Sequence, residues 1–121
     1  MPGRTIAGGW VVEGRIVAPP ADPRRAPPNE AYLDADALGG TVTVRSRRPG
    51  DKLRPLGLDG EKKVQDILVN AKVPSRLRDG VPIVSDAAGI IWIVGHCIEA
   101  RAAVGPRTAR ALRLTFLPAD R

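Results

Sequence analysis

The sequence predicts a small α+β domain, a mostly antiparallel sheet or sandwich with one principal helix at about 61–71 and a short helical turn. Three observations predict it. Residues 41–46 and 112–117 alternate apolar with polar side chains, the period of a half-buried strand. Val64, Ile67, Leu68 and Ala71 recur at i, i+3, i+4 and i+7, the single apolar stripe of an amphipathic helix. Beyond that stripe the chain reads as a run of strands, an order that suits α+β architecture.

The 121 residues suit one domain with an extension. Residues 10–17, with Trp10, Val11, Val12, Ile16 and Val17, have strand-like composition. Six of the 12 prolines fall within the first 28 residues, so 18–28 reads as a loop or extended linker. We therefore expect two segments: a Pro-rich extension with one strand at 1–30, and the domain proper at 31–121. Ala31-Tyr32-Leu33-Asp34 reads as a short strand ending near the Gly39-Gly40 turn. In 41–46, Val42 and Val44 share one face while Thr43 and Arg45 share the other. Pro49-Gly50 breaks that strand, and Pro55, Gly57 and Gly60 punctuate an ordered loop. Pro74 ends the principal helix, because the residue before a proline is pushed out of the helical region. Ser75 is placed to cap a further turn stopped by Gly80. Residues 81–85 and the wholly apolar 90–94 then read as strands, with a turn between them. In 112–117, Leu112, Leu114 and Phe116 face inward.

Catalytic chemistry is hard to assemble from these residues. His96 and Cys97 are the only histidine and cysteine. As neighbours in an extended segment they point to opposite faces, and two ligands leave a metal site incomplete. Gly57-Leu58-Asp59-Gly60 is not a phosphate-binding loop of Walker type. We expect no catalytic residue, no metal and no cofactor in this chain. One cysteine gives no disulfide framework, no apolar run reaches the roughly 20 residues of a membrane span, and the start lacks a signal-peptide core. A cytoplasmic, membrane-free location is expected.

The charge is more informative. The formal net charge is +6, a balance that favours polyanionic partners. Between residues 41 and 80, ten cations face five acids, so a third of the chain carries five of the six excess charges. The cations are Arg45, Arg47, Arg48, Lys52, Arg54, Lys62, Lys63, Lys72, Arg76 and Arg78, and all ten are candidate RNA-binding residues. Arg45–Arg54 flank a rigid Pro-containing loop suited to phosphate contact. Lys62 and Lys63 are expected in the first helical turn, where cations are unfavourable unless an external phosphate reverses the sign. Lys72, Arg76 and Arg78 rank second. Aromatics make up 3% of the chain, too few for a broad base-stacking platform. The alternative is a solvated basic surface on a docking or dimerisation domain without RNA contact. In that case an apolar patch is expected at Trp10 or Trp92.

The order of the motifs is specific. Val44-Arg45-Ser46-Arg47-Arg48-Pro49-Gly50-Asp51-Lys52-Leu53-Arg54-Pro55-Leu56-Gly57 resembles the opening motif of the C-terminal domain of bacterial tRNA(Ile)-lysidine synthase. Lys62-Lys63-Val64-Gln65-Asp66-Ile67-Leu68, Lys72-Val73-Pro74 and the stretch 78–82 are similar to the motif that follows. Ile90-Ile91-Trp92-Ile93-Val94-Gly95 resembles the family's late apolar strand, and 31–36 its run into the domain. Together the resemblance covers roughly residues 30–116. Glu99-Ala100-Arg101 departs from it, since the family usually places consecutive acids before the arginine.

The resemblance implies a non-catalytic tRNA-binding domain that contacts the acceptor stem. The full enzyme would attach lysine to the wobble cytidine, position 34, of tRNA(Ile), with ATP and lysine as its substrates. The catalytic N-terminal region, with a pyrophosphatase loop that these residues lack, would then be a partner along with tRNA(Ile). A homodimer stays open. A duplex stem is recognised mainly through phosphates, 2′-hydroxyls and shape, which suits a basic, aromatic-poor surface.

Overall fold

A computed structural model describes residues 3–119. Met1, Pro2, Asp120 and Arg121, at the ends of the two expected segments, lie outside the described residues. Among the described residues ten strands run in chain order: β1 Gly3–Ala7, β2 Trp10–Val17, β3 Glu30–Asp34, β4 Thr43–Arg45, β5 Lys52–Leu53, β6 Lys62–Lys63, β7 Ile83–Asp86, β8 Gly89–Ile93, β9 Cys97–Ile98 and β10 Ala111–Pro118. Two helices, α1 Val64–Asn70 and α2 Ser75–Arg78, lie between β6 and β7. All strand pairs are antiparallel. One sheet has the order β1-β2-β10-β3, a second has β4-β7-β8-β9, and β5-β6 is a separate two-stranded ribbon. The α+β class holds.

The second sheet is covered on both faces. Val84, Trp92 and Val94 join Val12, Leu33, Leu112, Leu114 and Phe116 in the core between the sheets. Ile83, Ile90 and Ile93 join Leu53, Val64 and Leu68 in another core under α1. Strict alternation would not give β8 this distribution. The register slips between Val84 and Ser85, and the extra residue, Ile91, sits beside Trp92 in the inter-sheet core. A bulge of this kind redirects side chains without ending the strand.

The expected boundary at residue 30 has no counterpart in the packing. β2 pairs with β10 from Val17↔Ala111 to Trp10↔Pro118, and β1 extends that sheet outward. Val12 is fully buried. Phe116 meets Trp10 and Trp92 edge-on, with ring centroids 6.0 and 5.4 Å apart, so one ring joins the first strands, the last strand and the second sheet. The sequence shows strand composition in β2 but no partner for it, which is why an extension is the natural reading. Trp92 is 3% exposed and belongs to the core, so it supplies no surface patch.

The principal helix starts later than its periodicity suggests. Lys62 and Lys63 are extended and hydrogen-bonded to β5, and α1 begins only at Val64. Of the stripe, Val64 and Leu68 are buried and Ile67 packs beside them. Ala71 is exposed and forms the C-cap. The chain then leaves the helix through Lys72, whose φ of 63° is the left-handed conformation common at helix stops. Ser75 is the first residue of α2 and Pro74 its N-cap.

The β7–β8 turn is held by Asp86. Its fully buried carboxylate accepts from Arg101 Nη2 at 2.7 Å and Nη1 at 3.0 Å, and from the N–H groups of Gly39, Ala88 and Gly89. The Arg101 bonds, opposed by burial and aided by the backbone donors, bring its pKa down from 3.8 to about 2.

This packing sets two expectations for stability. Phe116→Ala should cost about 3–5 kcal/mol in urea unfolding, whereas Ile6→Ala, at a side chain 75% exposed, should stay within about 0.5 kcal/mol. Because the folded pKa of Asp86 is depressed, its contribution is present above about pH 4 and lost as pH falls towards 2. Urea midpoints across that window should show wild type losing about 2 kcal/mol that Asp86→Asn never had; parallel curves would refute the assignment.

Candidate nucleic-acid interface

The loop after β4 is organised around one carboxylate. Asp51 accepts from Arg45 Nη1 at 2.8 Å and Nη2 at 3.0 Å, and from the Arg48 N–H at 2.7 Å. The Asp51 N–H donates to the Arg48 carbonyl at 3.1 Å, closing the turn over Pro49-Gly50, and the Asp51 carbonyl accepts from the Val64 N–H at 2.9 Å. Gly50 takes φ +84° there, a value that β-carbon-bearing residues rarely adopt. Burial raises the Asp51 pKa, but the Arg45 bonds and the Arg48 N–H outweigh it and hold the carboxyl below its ordinary value.

This arrangement sorts the ten candidate cations. Arg45 is committed to Asp51 and mostly buried with it. Arg47 donates from Nε to Asp79 Oδ1 at 2.9 Å, Lys52 lies 3.4 Å from Glu61, and Arg78 Nε donates to the Val73 carbonyl at 3.0 Å. Among the described residues, the side chains of Arg48, Arg54, Lys62, Lys63, Lys72 and Arg76 have no acid within ion-pair distance.

Three of the ten meet in one place. Arg47, Arg48 and Lys63 line a cleft of about 410 Å³ with Gly50, Gln65 and Asp79. Lys52 and Arg54 line a separate concavity, and Lys72, Arg76 and Arg78 line neither. The helix-start reading of Lys62 and Lys63 is corrected here. Both belong to a strand, and the first helical N–H is already bonded to Asp51. Their cost has another origin: Lys52 and Lys63 are direct cross-strand partners, and like charges so placed destabilise a ribbon.

Sequence reasoning missed Asp79, whose carboxylate is 80% exposed and holds an arginine only 25% exposed. Thirty-two residues separate the pair, and no local pattern signals it. It also left Glu99 without a role. Glu99 accepts from the Arg54 N–H at 2.9 Å and the Arg101 N–H at 3.2 Å, fixing the far end of β5.

The other chemistry-bearing residues lie elsewhere. Burial, then the Glu99 charge, pushes the Cys97 thiol up to about 11, so it stays protonated at neutral pH. Partial burial lowers the His96 pKa. Among the described residues no three His, Cys, Asp or Glu side chains are grouped to hold a metal ion, and no helix is long and apolar enough to cross a membrane.

Fold and cleft define a two-sheet α+β domain with a cationic recess built on a rigid turn. The model of the TilS substrate C-terminal domain matches residues 42–114, and the chain belongs to that family. It is 44% identical over 117 residues to the tRNA(Ile)-lysidine synthase of Symbiobacterium thermophilum, covering 95% of this chain and 24% of that protein. It is 34% identical over 113 residues to that of Dehalococcoides mccartyi, covering 93% and 24%. The chain thus spans about a quarter of these curated relatives. A crystal structure of a TilS C-terminal domain superposes with a TM-score of 0.81 at 28% identity, covering 99% of this chain and 93% of that one. An N-terminal fragment of the phenylalanyl-tRNA synthetase β-subunit from Pyrococcus horikoshii shares the fold, with a TM-score of 0.61 at 16% identity, over 72% of this chain and 27% of that one.

Asp51→Asn should leave Arg45 poorly compensated inside the loop. A loss of about 3 kcal/mol is expected, with faster amide exchange at Arg48 and Val64. Unchanged exchange at both amides would show that the carboxylate does not organise the turn.

Proposed function

We propose that this domain is the tRNA-binding, non-catalytic module of a tRNA(Ile)-lysidine synthase, seating the acceptor stem of tRNA(Ile) against the cleft of Arg47, Arg48 and Lys63. The whole enzyme would use ATP to attach lysine to the wobble cytidine, and a catalytic region outside this chain would carry that chemistry in the cytoplasm. The observation that carries the reading is the convergence of three cations on one recess, two of them without an acid partner among the described residues. A phosphate there gains charge-assisted hydrogen bonds and relieves the repulsion between Lys52 and Lys63. Membership of the family adds support, as does the scarcity of exposed rings, since stems are bound chiefly through phosphates and shape.

A docking reading has one observation in its favour. Ile6, Val11 and Leu117 are register neighbours across β1, β2 and β10, and Ile6 and Leu117 are exposed. It predicts salt-insensitive self-association, readable by sedimentation.

The deciding measurement is binding of this chain to tRNA(Ile), and to a minihelix of its acceptor stem, across a salt series. Comparable affinities that fall steeply with salt are expected. Arg48→Ala/Lys63→Ala should weaken both complexes and reduce the log–log salt slope by about two units. An unchanged slope would remove the cleft from the interface, and no binding to either RNA at low salt would overturn the reading.

A further inference from the structure

The first sheet has two edges, and only one of them is closed. β3 is bridged to Ala103 through Leu33, whereas among the described residues β1 pairs with β2 alone. A free strand edge is a template for further pairing, and folds blunt it with proline, a bulge or a covering loop. β1 has none of these. Its register against β2 runs unbroken from Gly3↔Gly14 to Ala7↔Trp10, it holds no proline, and Gly3, Arg4, Thr5 and Ile6 are all exposed. Its single charge, on Arg4, already lies 3.6 Å from Glu13. Ile6, a β-branched residue, is 75% exposed.

The hairpin fixes which groups this edge offers. Gly8 and Gly9 turn the chain with φ of +53° and +86°, the two left-handed positions of a type I′ turn. Ala7 and Trp10 therefore close the hairpin as a hydrogen-bonded pair. The alternation of an antiparallel ladder makes Thr5 with Val12, and Gly3 with Gly14, the next such pairs. The N–H and C=O groups of Arg4 and Ile6 thus point away from β2. Centred on Thr5, this pattern is self-complementary: against an antiparallel copy, Arg4 stands opposite Ile6 of the second chain, and each N–H meets a carbonyl.

We propose that β1 pairs with β1 of a second copy about a twofold axis at Thr5, joining two four-stranded sheets into one. The contact is isologous, so one short strand satisfies both chains. The two Thr5 side chains meet on the face that carries Val12, where cross-strand threonines pair favourably. On the opposite face Ile6 lies between its neighbour Val11 and the Arg4 side chain of the second copy, whose aliphatic stem covers it. The axis keeps the two Arg4 side chains apart, each beside its own Glu13, so no like charges face each other. The contact is small, which makes the dimer reversible and dependent on concentration. It is independent of the RNA-binding reading, because β1 carries none of the residues that line the cleft.

The test is sedimentation velocity of this chain across concentration and salt, together with crosslinking of Thr5→Cys under mild oxidation. A monomer–dimer equilibrium that salt barely alters is expected. Ile6→Pro should abolish the dimer yet keep the β1–β2 bonds, because the N–H it removes points outward; a circular dichroism melt checks that this variant folds. Leu117→Ser should leave the dimer intact, since β2 separates β10 from the edge. A cross-strand pair of the kind formed by the two Thr5 residues holds its Cα atoms about 4.5 Å apart, within reach of a disulfide. Thr5→Cys should therefore crosslink two chains, whereas Ile6→Cys, offset from the axis, and the wild type with Cys97 should not. A monomer at every concentration, or no crosslink through Thr5→Cys, would overturn the proposal. So would a dimer that survives Ile6→Pro or is lost in Leu117→Ser, a result that moves the contact to the apolar face of Ile6, Val11 and Leu117.

Discussion

The carboxylate of Asp51 is the contact on which the cationic surface depends. It takes two hydrogen bonds from Arg45 and one from the Arg48 amide, while its own carbonyl receives the first amide of α1. One residue thus joins the end of β4, the Pro49-Gly50 turn, the β5–β6 ribbon and the start of the helix. A buried carboxylate with three donors is stable only with its partners in place, so the loop has little freedom to rearrange. The Arg48 and Lys63 side chains extend from a frame that the fold itself fixes. For any ligand bound there, the ordering cost would be limited to the side chains themselves.

The same contact explains why charge count is a poor guide to the site. Arg45 opens the basic motif, yet its charge is spent within the fold. Arg47 and Lys52 are each offset by an acid that the sequence places far off or across a ribbon. What distinguishes the remaining cations is position: Arg48 and Lys63 share a recess, and Lys63 faces Lys52 across two strands. Exposed ion pairs contribute at most about 1 kcal/mol, so Glu61 only partly offsets the repulsion of that lysine pair. A polyanion bound there would reverse it, with a strength that depends on salt.

Much of the fold was legible because its elements carry periodic signals. β2 coincides with the strand composition at 10–17, β10 with the alternation of Leu112, Leu114 and Phe116, and α1 lies within its apolar stripe. The features that were not legible lack any local signature. β1 is a five-residue strand that, among the described residues, pairs with β2 alone. β6 is two lysines long, and a helical stripe extrapolated backwards runs over it without contradiction. The Ile91 bulge follows from packing demands on two faces of one sheet, and an unbroken apolar run cannot show where alternation fails. For the site, the motif order around residues 44–57 located the loop, whereas the pairing of Arg47 with Asp79 and the Arg45–Asp51 anchor emerge only in three dimensions.

The N-terminal hairpin bears on the loop as well as on the core. Gly8 and Trp10 line a crevice of about 190 Å³ with Val44, Arg45, Ser46 and Asp79, so the β1–β2 turn adjoins the residues that orient Arg45 and Arg47. Trp10 also leans edge-on against Phe116, and Phe116 is tied to Asn29 by hydrogen bonds through both its N–H and its carbonyl. The proline-rich stretch between β2 and β3 is thereby anchored at the centre of β10. Strands that sequence alone would set aside as a tail thus flank the loop on one side, while the second sheet and α1 hold it on the other. The cationic surface is consequently a property of the whole sandwich, since removing the hairpin would expose Phe116 and open the crevice beside Arg45 together.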